Sequence, residues 1–338
     1  GIPQIPYQQA LGAFAHNYQT IAITGTHGKS STTAFLAHIC IQTGLDPVVL
    51  VGANMESLRG KHAQYGKGKY FIVEADEYRN HFLELFPAHA IITTIDFDHP
   101  DSFSSLQDTE KAYQEFISQI DPSGYLVISD TEKNKHSSIT FPKHTIAVLE
   151  KDISDIHVPL PGDHMRMNAL LAVTLAEKLG IPRTDAITSL KTFPGLSRRF
   201  ELLGTFNECD VRSDYGHHPA EITATIAGAR EVYPHARIMA VFEAHMPLRL
   251  RTFYSDFVTA LSLADEIIVV PPFAPMGRDD NGVDFAIRLK NDVLASGKPA
   301  EYTEDPTEFL LHLKDNTVAL IFSAGNLDAM TRKFVKKG

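Results

Sequence analysis

The stretch TIAITGTHGKSSTTAFLAHICI, residues 20–41, decides the fold of this chain because it runs from a strand through a glycine loop into a helix. The apolar, β-branched run at 20–24 is typical of a buried strand. A mostly apolar helix is predicted over 31–41, and residues 25–30 form the loop between them. In such a unit the backbone N–H groups of the loop and the positive end of the helix converge on phosphate oxygens. The stretch therefore predicts a binding site for the phosphates of a nucleotide.

Individual loop residues narrow this prediction to ATP with Mg²⁺. Lys29 is placed to reach the β- and γ-phosphates, and the hydroxyl of Ser30 is placed to contact Mg²⁺. The usual motif has a glycine five residues before its Gly-Lys pair, whereas Ile23 occupies that position here, so the loop is a shortened variant. The loop residues predicted to bind the nucleotide are Gly25, Thr26, His27, Gly28, Lys29, Ser30 and Ser31.

Two acidic clusters follow later predicted strands. EADE occupies 74–77 after the run 70–73, and DFDHPD occupies 96–101 after the run 90–95. Because ligands of a parallel sheet lie beyond the carboxyl ends of its strands, both clusters are expected to face the same crevice as the glycine loop. Carboxylate oxygens suit Mg²⁺, and a histidine can complete the shell of a second metal ion. Each cluster alone is more typical of solvated loop acids than of a functional site, and it is their convergence with the loop that favours a metal site.

The composition is that of an ordinary globular protein. The chain has 338 residues, of which 43% are hydrophobic and 21% charged, enough for two domains. Its net charge of −10 disfavours binding to nucleic acid, and no apolar run approaches the ~18 residues of a membrane span, so we expect no membrane insertion. Two cysteines, Cys40 and Cys209, are too few for a disulfide scaffold or a zinc site and fit a cytoplasmic setting. The sequence does not specify an oligomeric state.

Strand-like runs alternate with helices along the whole chain, which predicts an α/β fold with mostly parallel sheets covered on both faces. In the first half, further strands are predicted at 48–51, 125–128 and 145–149, and helices near 165–179 and 184–190. A Pro-Gly break at 193–197 predicts the boundary between a central P-loop ATPase-type sheet domain, 1–195, and a smaller Rossmann-like C-terminal domain, 196–338. In the second half, strands are predicted at 238–242, 266–270 and 318–322, and helices near 219–230, 250–262, 284–295, 306–313 and from 327 to the end.

Several polar groups of the second half follow strand-like runs. The segment SDYGHHP occupies 213–219, Arg198 and Arg199 follow the predicted boundary, and His245 and Arg249 follow the strand that ends at 242. On the two-domain arrangement these groups are expected to face the first domain. Their spacing alone does not distinguish them from ordinary surface turns.

In order and spacing, these motifs resemble the Mur ligase family, which builds the peptide stem of peptidoglycan precursors. The resemblance covers nearly all of the chain and rests on GTHGKS at 25–30, EADE at 74–77, DFDHPD at 96–101, LPGDHMRMNAL at 160–170, SRRFE at 197–201 and SDYGHHPAEI at 213–222. The loop histidine, EADE and YGHHP look like the members that add L-alanine to UDP-N-acetylmuramate. The resemblance implies an ATP-dependent, ADP-forming ligase. In that reaction ATP phosphorylates a carboxylate to an acyl phosphate, and the amine of an amino acid then displaces the phosphate.

The resemblance also implies roles for individual residues. Lys29 would act on the transferred phosphate, Ser30 and Glu74 would hold one Mg²⁺, and His99 would help to hold a second. Nucleotide contacts are implied for Asn168, Arg199, Asp214 and Tyr215. Catalytic roles are implied for Lys29, His99, Arg199, His217 and His218, and substrate contacts for His217, His245 and Arg249. Because these side chains come from two predicted domains, closure is expected to precede chemistry.

Two departures from the family pattern keep alternatives open. The family usually has a separate N-terminal domain that binds the UDP moiety, and this chain starts at Gly1 about where that domain would end, which predicts a fragment or an unusual form. The alanine-adding members usually carry an arginine directly after His245, where this chain has Met246. The alternatives are a murein tripeptide recycling ligase that also acts on UDP-N-acetylmuramate, and a non-catalytic nucleotide-binding module.

Overall fold

Two mostly parallel β-sheets form the framework of the protein, one in each of two units of the chain. The computed structural model describes residues 4–273, 282–314 and 316–336, so the predicted fragment start at Gly1 lies outside the described residues. The N-terminal unit contains residues 1–159 and 163–197, and the C-terminal unit contains residues 160–162 and 198–338. The alternation of strands and helices is the predicted α/β class.

The N-terminal unit is built around a seven-stranded sheet. Its strands are β1 (Gln19–Thr24), β2 (Val48–Met55), β3 (Lys61–Gln64), β4 (Tyr70–Glu74), β5 (His89–Ile92), β6 (Leu126–Ser129) and β7 (Thr145–Val148). Its helices are α1 (Tyr7–Ala15), α2 (Lys29–Gln42), α3 (Leu106–Ser118), α4 (Asp130–Lys135), α5 (Asp163–Lys178) and α6 (Arg183–Leu190). In space the strands follow the order β3-β2-β4-β1-β5-β6-β7, with β3 antiparallel to β2 and the remaining pairs parallel.

The strand that precedes the glycine loop lies at the centre of this sheet. Ile21, Ala22 and Ile23 of β1 are fully buried, as expected where helices cover both faces of a parallel sheet. Helix α2 is buried along nearly its whole length because it packs against the sheet and against α5 and α6. Burying such apolar surface stabilises the fold by about 25 cal/mol per Å². The same packing fixes the end of β1 and the start of α2, and therefore the loop between them.

The C-terminal unit is built around a six-stranded sheet. Its strands are β8 (Glu201–Phe206), β9 (Cys209–Asp214), β10 (Arg237–His245), β11 (Glu266–Phe273), β12 (Ala300–Tyr302) and β13 (Thr317–Ser323). Its helices are α7 (Pro219–Val232), α8 (Pro247–Thr252), α9 (Tyr254–Leu261), α10 (Val283–Ala295) and α11 (Leu327–Thr331). The strands follow the order β12-β11-β10-β13-β9-β8, with β8 antiparallel to β9 and the remaining pairs parallel. This sheet places the ends of β9, β10 and β13 beside one another.

The prediction of a helix from 327 to the end is wrong beyond Thr331. Lys336 instead exchanges two backbone hydrogen bonds of 2.9 Å with Thr205 on β8. The physical reason is that β8 is an edge strand, whose outward backbone groups offer a ladder that a passing segment can join. The local sequence does not reveal that this edge is within reach.

Two other predicted helices of the C-terminal unit differ in detail. The helix expected over 250–262 is divided into α8 and α9, which meet at Phe253. The helix expected over 306–313 is a 3₁₀ turn over Glu308–His312. Across the described ranges, none of the helices is both long enough and apolar enough to cross a membrane.

Candidate functional site

Three neighbouring strands of the N-terminal unit end side by side, and the residues that follow them form the candidate nucleotide site. Strand β1 lies between β4 and β5 and is parallel to both. The glycine loop follows β1, EADE follows β4, and residues 93–98 follow β5. The strand order thus places both acidic clusters next to the glycine loop, at the sheet edge where α/β folds bind ligands.

Two glycines give the loop its shape. Gly25 has φ +140° and Gly28 has φ +84°, values that L side chains rarely adopt. A Cβ on Gly25 would lie 1.9 Å from Oγ1 of Thr93, and a Cβ on Gly28 would lie 2.7 Å from Oδ1 of Asn168. The loop backbone therefore passes directly against the end of β5 on one side and against α5 on the other. Asn168, predicted to contact the nucleotide, lies at the loop.

Lys29 begins α2, and its ammonium turns back over the loop. Nζ donates to the carbonyl of Gly25 at 2.6 Å and to Oε1 of Glu77 at 3.0 Å, and it lies 2.8 Å from Oε2 of Glu77. Burial by itself lowers the pKa of Lys29, but the carboxylates of Glu77, Glu74 and Asp76 together raise it above its ordinary value. Lys29 is therefore a fixed positive charge at the mouth of the loop.

Glu77 is the buried partner of this lysine, and sequence reasoning did not single it out. The residue is 2% exposed, and burial raises the pKa of its carboxyl to about 7 although Lys29 acts in the opposite direction. The sequence signal available for Glu77 was its place as the second glutamate of EADE, three residues after Glu74. Nothing in that pattern indicates that the chain turns Glu77 inward against the loop.

The raised pKa of Glu77 predicts a pH dependence of stability. Between its ordinary pKa of 4.5 and about 7, the folded protein holds a proton that the unfolded chain releases. The free energy of unfolding should therefore fall as pH rises through this window, by at most about 1.4 kcal/mol per pH unit from this group. Urea unfolding at about pH 5 and about pH 7 measures this fall in the free energy of unfolding, and in Glu77→Gln the part of the pH slope that comes from Glu77 should vanish. Identical pH profiles for the two proteins would contradict the assignment.

Ser30 and Glu74 form an oxygen-rich pair beside Lys29. The hydroxyl of Ser30 donates to Oε1 of Glu74 at 3.0 Å, and Oε2 of Glu74 accepts the N–H of Gly52 at 2.6 Å. A Cβ on Gly52 would lie 2.7 Å from the same carboxylate, so β2 helps to fix it. Hydroxyl and carboxylate oxygens are the ligand atoms that Mg²⁺ prefers, and their position next to the glycine loop fits a cation shared with the phosphates of the predicted nucleotide.

A second group of possible metal ligands lies around Glu77. Asp76, Glu77 and His99 each offer one ligand atom, and these atoms lie within 4.8 Å of one another. Nε2 of His99 is 3.7 Å from Oε1 of Glu77 and 3.9 Å from Oδ2 of Asp98. A set of two carboxylates and one imidazole fits a divalent cation, although histidine is a less usual ligand of Mg²⁺. The sequence predicted that EADE and His99 would face this crevice, but within EADE it assigned a metal contact only to Glu74 and not to Asp76 or Glu77.

In the C-terminal unit, Asp214 ends β9 and is 4% exposed. Its Oδ2 accepts the N–H of Phe200 at 2.9 Å, and its Oδ1 accepts the N–H of Gly216 at 2.8 Å. Burial raises the pKa of Asp214, and the guanidinium of Arg199 acts against this rise. The same guanidinium lies 5.4 Å from the ring centre of Tyr215. Arg199, Asp214 and Tyr215, all predicted to contact the nucleotide, thus form one cluster.

His217 and His218 lead into α7, and Glu221 on that helix holds both. Oε2 of Glu221 accepts the N–H of His217 at 3.0 Å and that of His218 at 3.2 Å. Nδ1 of His218 accepts the N–H of Ala220 at 3.3 Å, so His218 caps the helix. Nδ1 of His217 lies 3.5 Å from the carboxylate of Glu221. His218 therefore has a structural role in this helix start, whereas the ring of His217 reaches toward β10.

The end of β10 brings the predicted substrate residues together. The ring of His245 lies 5.7 Å from that of His217, and its Nδ1 is 3.4 Å from Nη1 of Arg249. Arg249 is 2% exposed, an unusual burial for an arginine. Met246, with φ +64°, turns the chain into α8 between them. The structure thus places His245 next to both the ring of His217 and the buried guanidinium of Arg249.

Comparisons with protein families match both units. The Mur ligase middle domain matches residues 23–176, and the family described as Mur ligase, glutamate ligase domain matches residues 198–325. These two stretches contain the glycine loop and the Arg199–Asp214 cluster respectively.

Curated relatives are similar along the chain. The UDP-N-acetylmuramate–L-alanine ligase of Caldanaerobacter subterraneus is 32% identical over 100% of this chain and 80% of its own length. The enzyme of the same name from Desulfitobacterium hafniense is 32% identical over 92% of this chain and 75% of its own length.

Solved structures share the fold. The UDP-N-acetylmuramate–alanine ligase of Thermotoga maritima superposes with a TM-score of 0.78 at 24% identity, over 97% of this chain and 77% of that chain. FolC of E. coli, solved with ADP, superposes with a TM-score of 0.69 at 14% identity, over 98% of this chain and 93% of that chain. The predicted fold class, a central P-loop ATPase-type sheet followed by a Rossmann-like α/β part, is confirmed. Since both family domains match in order and relatives above 30% identity cover the whole chain, the chain belongs to the Mur ligase family of ATP-dependent, ADP-forming ligases.

Proposed function

We propose that this chain carries the catalytic part of a ligase that joins L-alanine to UDP-N-acetylmuramate in peptidoglycan precursor synthesis. The substrates are those in the names of its curated relatives. The observation that carries the proposal is the grouping of Lys29, Ser30 and Glu74 at adjacent strand ends, where a nucleotide triphosphate and its cation are expected. The reaction would take place in the cytoplasm, which the two free cysteines, Cys40 and Cys209, fit.

The N-terminal unit would supply the chemistry of phosphate transfer. ATP would phosphorylate the substrate carboxylate to an acyl phosphate, and phosphate transfer depends mainly on positioning and on neutralising charge. The ammonium of Lys29 supplies positive charge at the loop. The backbone N–H groups of residues 28–31, at the start of α2, would bind phosphate oxygens, since those of Thr26 and His27 donate to Thr94. Mg²⁺, when bound, would neutralise further charge on those oxygens, with Ser30 and Glu74 as ligands and His99 beside a second cation.

The C-terminal unit would supply contacts to the nucleotide and to the incoming amino acid. We assign Arg199, Asp214 and Tyr215, together with Asn168 of the N-terminal unit, to the nucleotide. His217, His245 and Arg249 are assigned to the amino acid, whose carboxylate a buried guanidinium suits. His218 is retained as a catalytic candidate because its ring lies in the same turn as that of His217.

Phosphate release tests the proposal. The chain, and the same chain joined to its UDP-binding domain if the gene encodes one, is assayed with ATP, Mg²⁺, UDP-N-acetylmuramate and each of several amino acids. The proposal expects release that L-alanine stimulates and that other amino acids stimulate less. Stimulation by L-Ala-γ-D-Glu-meso-diaminopimelate but not by L-alanine would instead establish the tripeptide ligase.

The presence of a methionine at position 246 is the observation that keeps the tripeptide ligase as a second candidate. Met246 is 9% exposed and lies between His245 and Arg249, so an uncharged thioether occupies the place where the alanine-adding members usually have a guanidinium. A weaker hold on a small amino acid's carboxylate would favour a larger acceptor. The non-catalytic module is disfavoured because Lys29, Ser30 and Glu74 are all present and lie together at the glycine loop, where phosphate transfer would need them.

Glu74→Gln tests the proposed cation site. The change keeps an oxygen for the N–H of Gly52 and removes one negative charge beside Ser30. Mutating a residue that only hydrogen-bonds to a metal ligand typically weakens metal binding by 10–100-fold. Loss of a proposed ligand should cost at least as much, so we expect the Mg²⁺ concentration for half-maximal activity to rise at least about tenfold. Activity is titrated with Mg²⁺, and Glu115→Gln, an exposed position on α3, is the control. An unchanged titration would place the cation elsewhere.

A further inference from the structure

The glycine loop is held from the side by the four residues Thr93–Asp96, which we call the 93–96 segment. The N–H of Thr26 donates to the carbonyl of Thr94 at 2.9 Å, and the N–H of His27 donates to Oγ1 of Thr94 at 2.9 Å. The hydroxyl of Thr93 donates to the carbonyl of His27. Oγ1 of Thr26 accepts the N–H of Asp96 at 2.8 Å. Four hydrogen bonds thus fix which way the loop's backbone groups point.

The 93–96 segment is itself anchored by a buried glutamate. Oε1 of Glu132, on α4, accepts the N–H of Ile95 at 2.7 Å, and Glu132 is 8% exposed. Because β5 ends at Ile92, Ile95 lies beyond the sheet and has no neighbouring strand to accept its N–H. The carboxylate of Glu132 accepts it instead. Helix α4 is in turn fixed by Ser129, whose Oγ accepts the N–H of Glu132 at 3.1 Å.

A buried histidine holds Glu132 in this position. His136 is 1% exposed, its Nε2 is 2.9 Å from Oε1 of Glu132, and its Nδ1 is 2.6 Å from Oε1 of Glu110 on α3. Oε2 of Glu110 accepts the hydroxyl of Ser138 at 2.6 Å. The chain of contacts runs from Glu110 through His136 and Glu132 to Ile95, and of these three side chains only that of Glu132 contacts the 93–96 segment.

We propose that Glu132 and Thr94 are positioning residues for the nucleotide site, acting through the 93–96 segment on the glycine loop. The inference rests on the proposed role of that loop as the phosphate site. Neither side chain is assigned a contact with the nucleotide. By holding Thr26 and His27 they keep the following N–H groups, those of residues 28–31 at the start of α2, preorganised. A loop that must be ordered on binding gives up affinity. A buried N–H without an acceptor is costly, so losing Glu132 should free the segment to move and the loop with it.

The test compares two glutamates that contact the same histidine. Glu132→Ala removes the carboxylate that anchors Ile95, whereas Glu110→Ala removes the carboxylate on the other side of His136 and leaves the 93–96 segment untouched. Glu132→Gln keeps an acceptor oxygen and serves as the conservative rescue. Thr94→Val removes the hydroxyl that binds His27, and Thr94→Ser restores it. For each protein, hydrogen exchange of the loop peptide 22–31 is followed without nucleotide, and the Kd for ATP with Mg²⁺ is measured by calorimetry.

We expect Glu132→Ala and Thr94→Val to speed exchange in peptide 22–31 and to raise the Kd for ATP about tenfold, equivalent to about 1.4 kcal/mol. Glu132→Gln and Thr94→Ser should stay within about threefold of the wild type. Glu110→Ala should lower the melting temperature while leaving loop exchange and Kd unchanged. Equal effects of Glu132→Ala and Glu110→Ala would reduce Glu132 to a structural role, and unchanged loop exchange in Glu132→Ala would overturn the inference. Faster loop exchange with an unchanged Kd would mean that Glu132 and Thr94 do hold the loop through the 93–96 segment, but it would contradict the loop as the phosphate site.

Discussion

Lys29→Gln is expected to lower kcat/KM for ATP-dependent phosphate release by about 10²–10³-fold, the usual effect of removing one preorganised charge-stabilising group. The ammonium of Lys29 lies over the loop within 2.6 Å of the carbonyl of Gly25 and is surrounded by Glu74, Asp76 and Glu77. In the proposed reaction it would be the cation that this loop contributes to the developing negative charge on phosphate. Glutamine can keep a hydrogen bond to Glu77 but brings no charge.

The change also removes one partner of a buried ion pair, which destabilises the fold, although Glu77, whose pKa burial already raises, can take up a proton and limit the loss. The double variant Lys29→Gln with Glu77→Gln separates the two effects, because it replaces the pair by two neutral amides. We expect thermal unfolding of the double variant to return toward that of the wild type while its activity stays low. Recovery of activity in the double variant would mean that Lys29 matters for folding and not for phosphate transfer. Lys111→Gln, on the exposed face of α3, is the control for loss of a lysine.

The strand–loop–helix unit was predictable because its signals are local. A β-branched run that ends at a glycine predicts a buried strand, and the ends of the observed β1 and α2 lie within two residues of the predicted ones. Glycines at positions of positive φ are also local signals, since the chain can take that path only with glycine. The glycine loop between β1 and α2 could therefore be located from sequence alone.

Some elements were missed although a pattern was present. Helix α3 carries Ala112, Tyr113, Phe116 and Ile117 at helical spacing, with Ser105 capping its start, yet no helix was predicted there. The hairpin of β8 and β9 was missed for a different reason. Its strands are short and partly polar, so their pairing is decided by tertiary contacts more than by local preference.

The partners of the site residues were harder to predict than the site residues themselves. The sequence indicates acids after β4 and β5, but not which carboxylate turns inward to meet Lys29, and Glu77 rather than Glu74 takes that place. Thr93, Thr94 and Glu132 carry no motif, because a hydroxyl or a carboxylate that accepts a backbone N–H is an ordinary residue in an ordinary pattern. Burial and hydrogen-bond partners depend on strand order, which a single sequence specifies only indirectly.

Gly25→Ala is expected to weaken ATP binding by at least about 100-fold, close to 2.7 kcal/mol. Two physical effects combine at this position. The backbone has φ +140°, which alanine adopts only with strain, and an added Cβ would lie 1.9 Å from Oγ1 of Thr93 and 2.8 Å from the backbone nitrogen of Thr94. The loop must therefore move away from the end of β5. The N–H groups of Thr26 and His27 then lose their hydrogen bonds to Thr94. With them the start of α2 loses its fixed position, and so do the N–H groups of residues 28–31 that would face a phosphate.

Gly44→Ala is the matched control, because Gly44 also has a positive φ, +82°, but an added Cβ there would meet no atom within 4 Å. It should show the torsional cost alone, about 1–2 kcal/mol in urea unfolding, with ATP affinity unchanged. If Gly25→Ala loses affinity and Gly44→Ala does not, the collision with the 93–96 segment is responsible rather than strain in general. Wild-type affinity in Gly25→Ala would show that the loop tolerates displacement, and that its contact with the end of β5 does not set the geometry of phosphate binding.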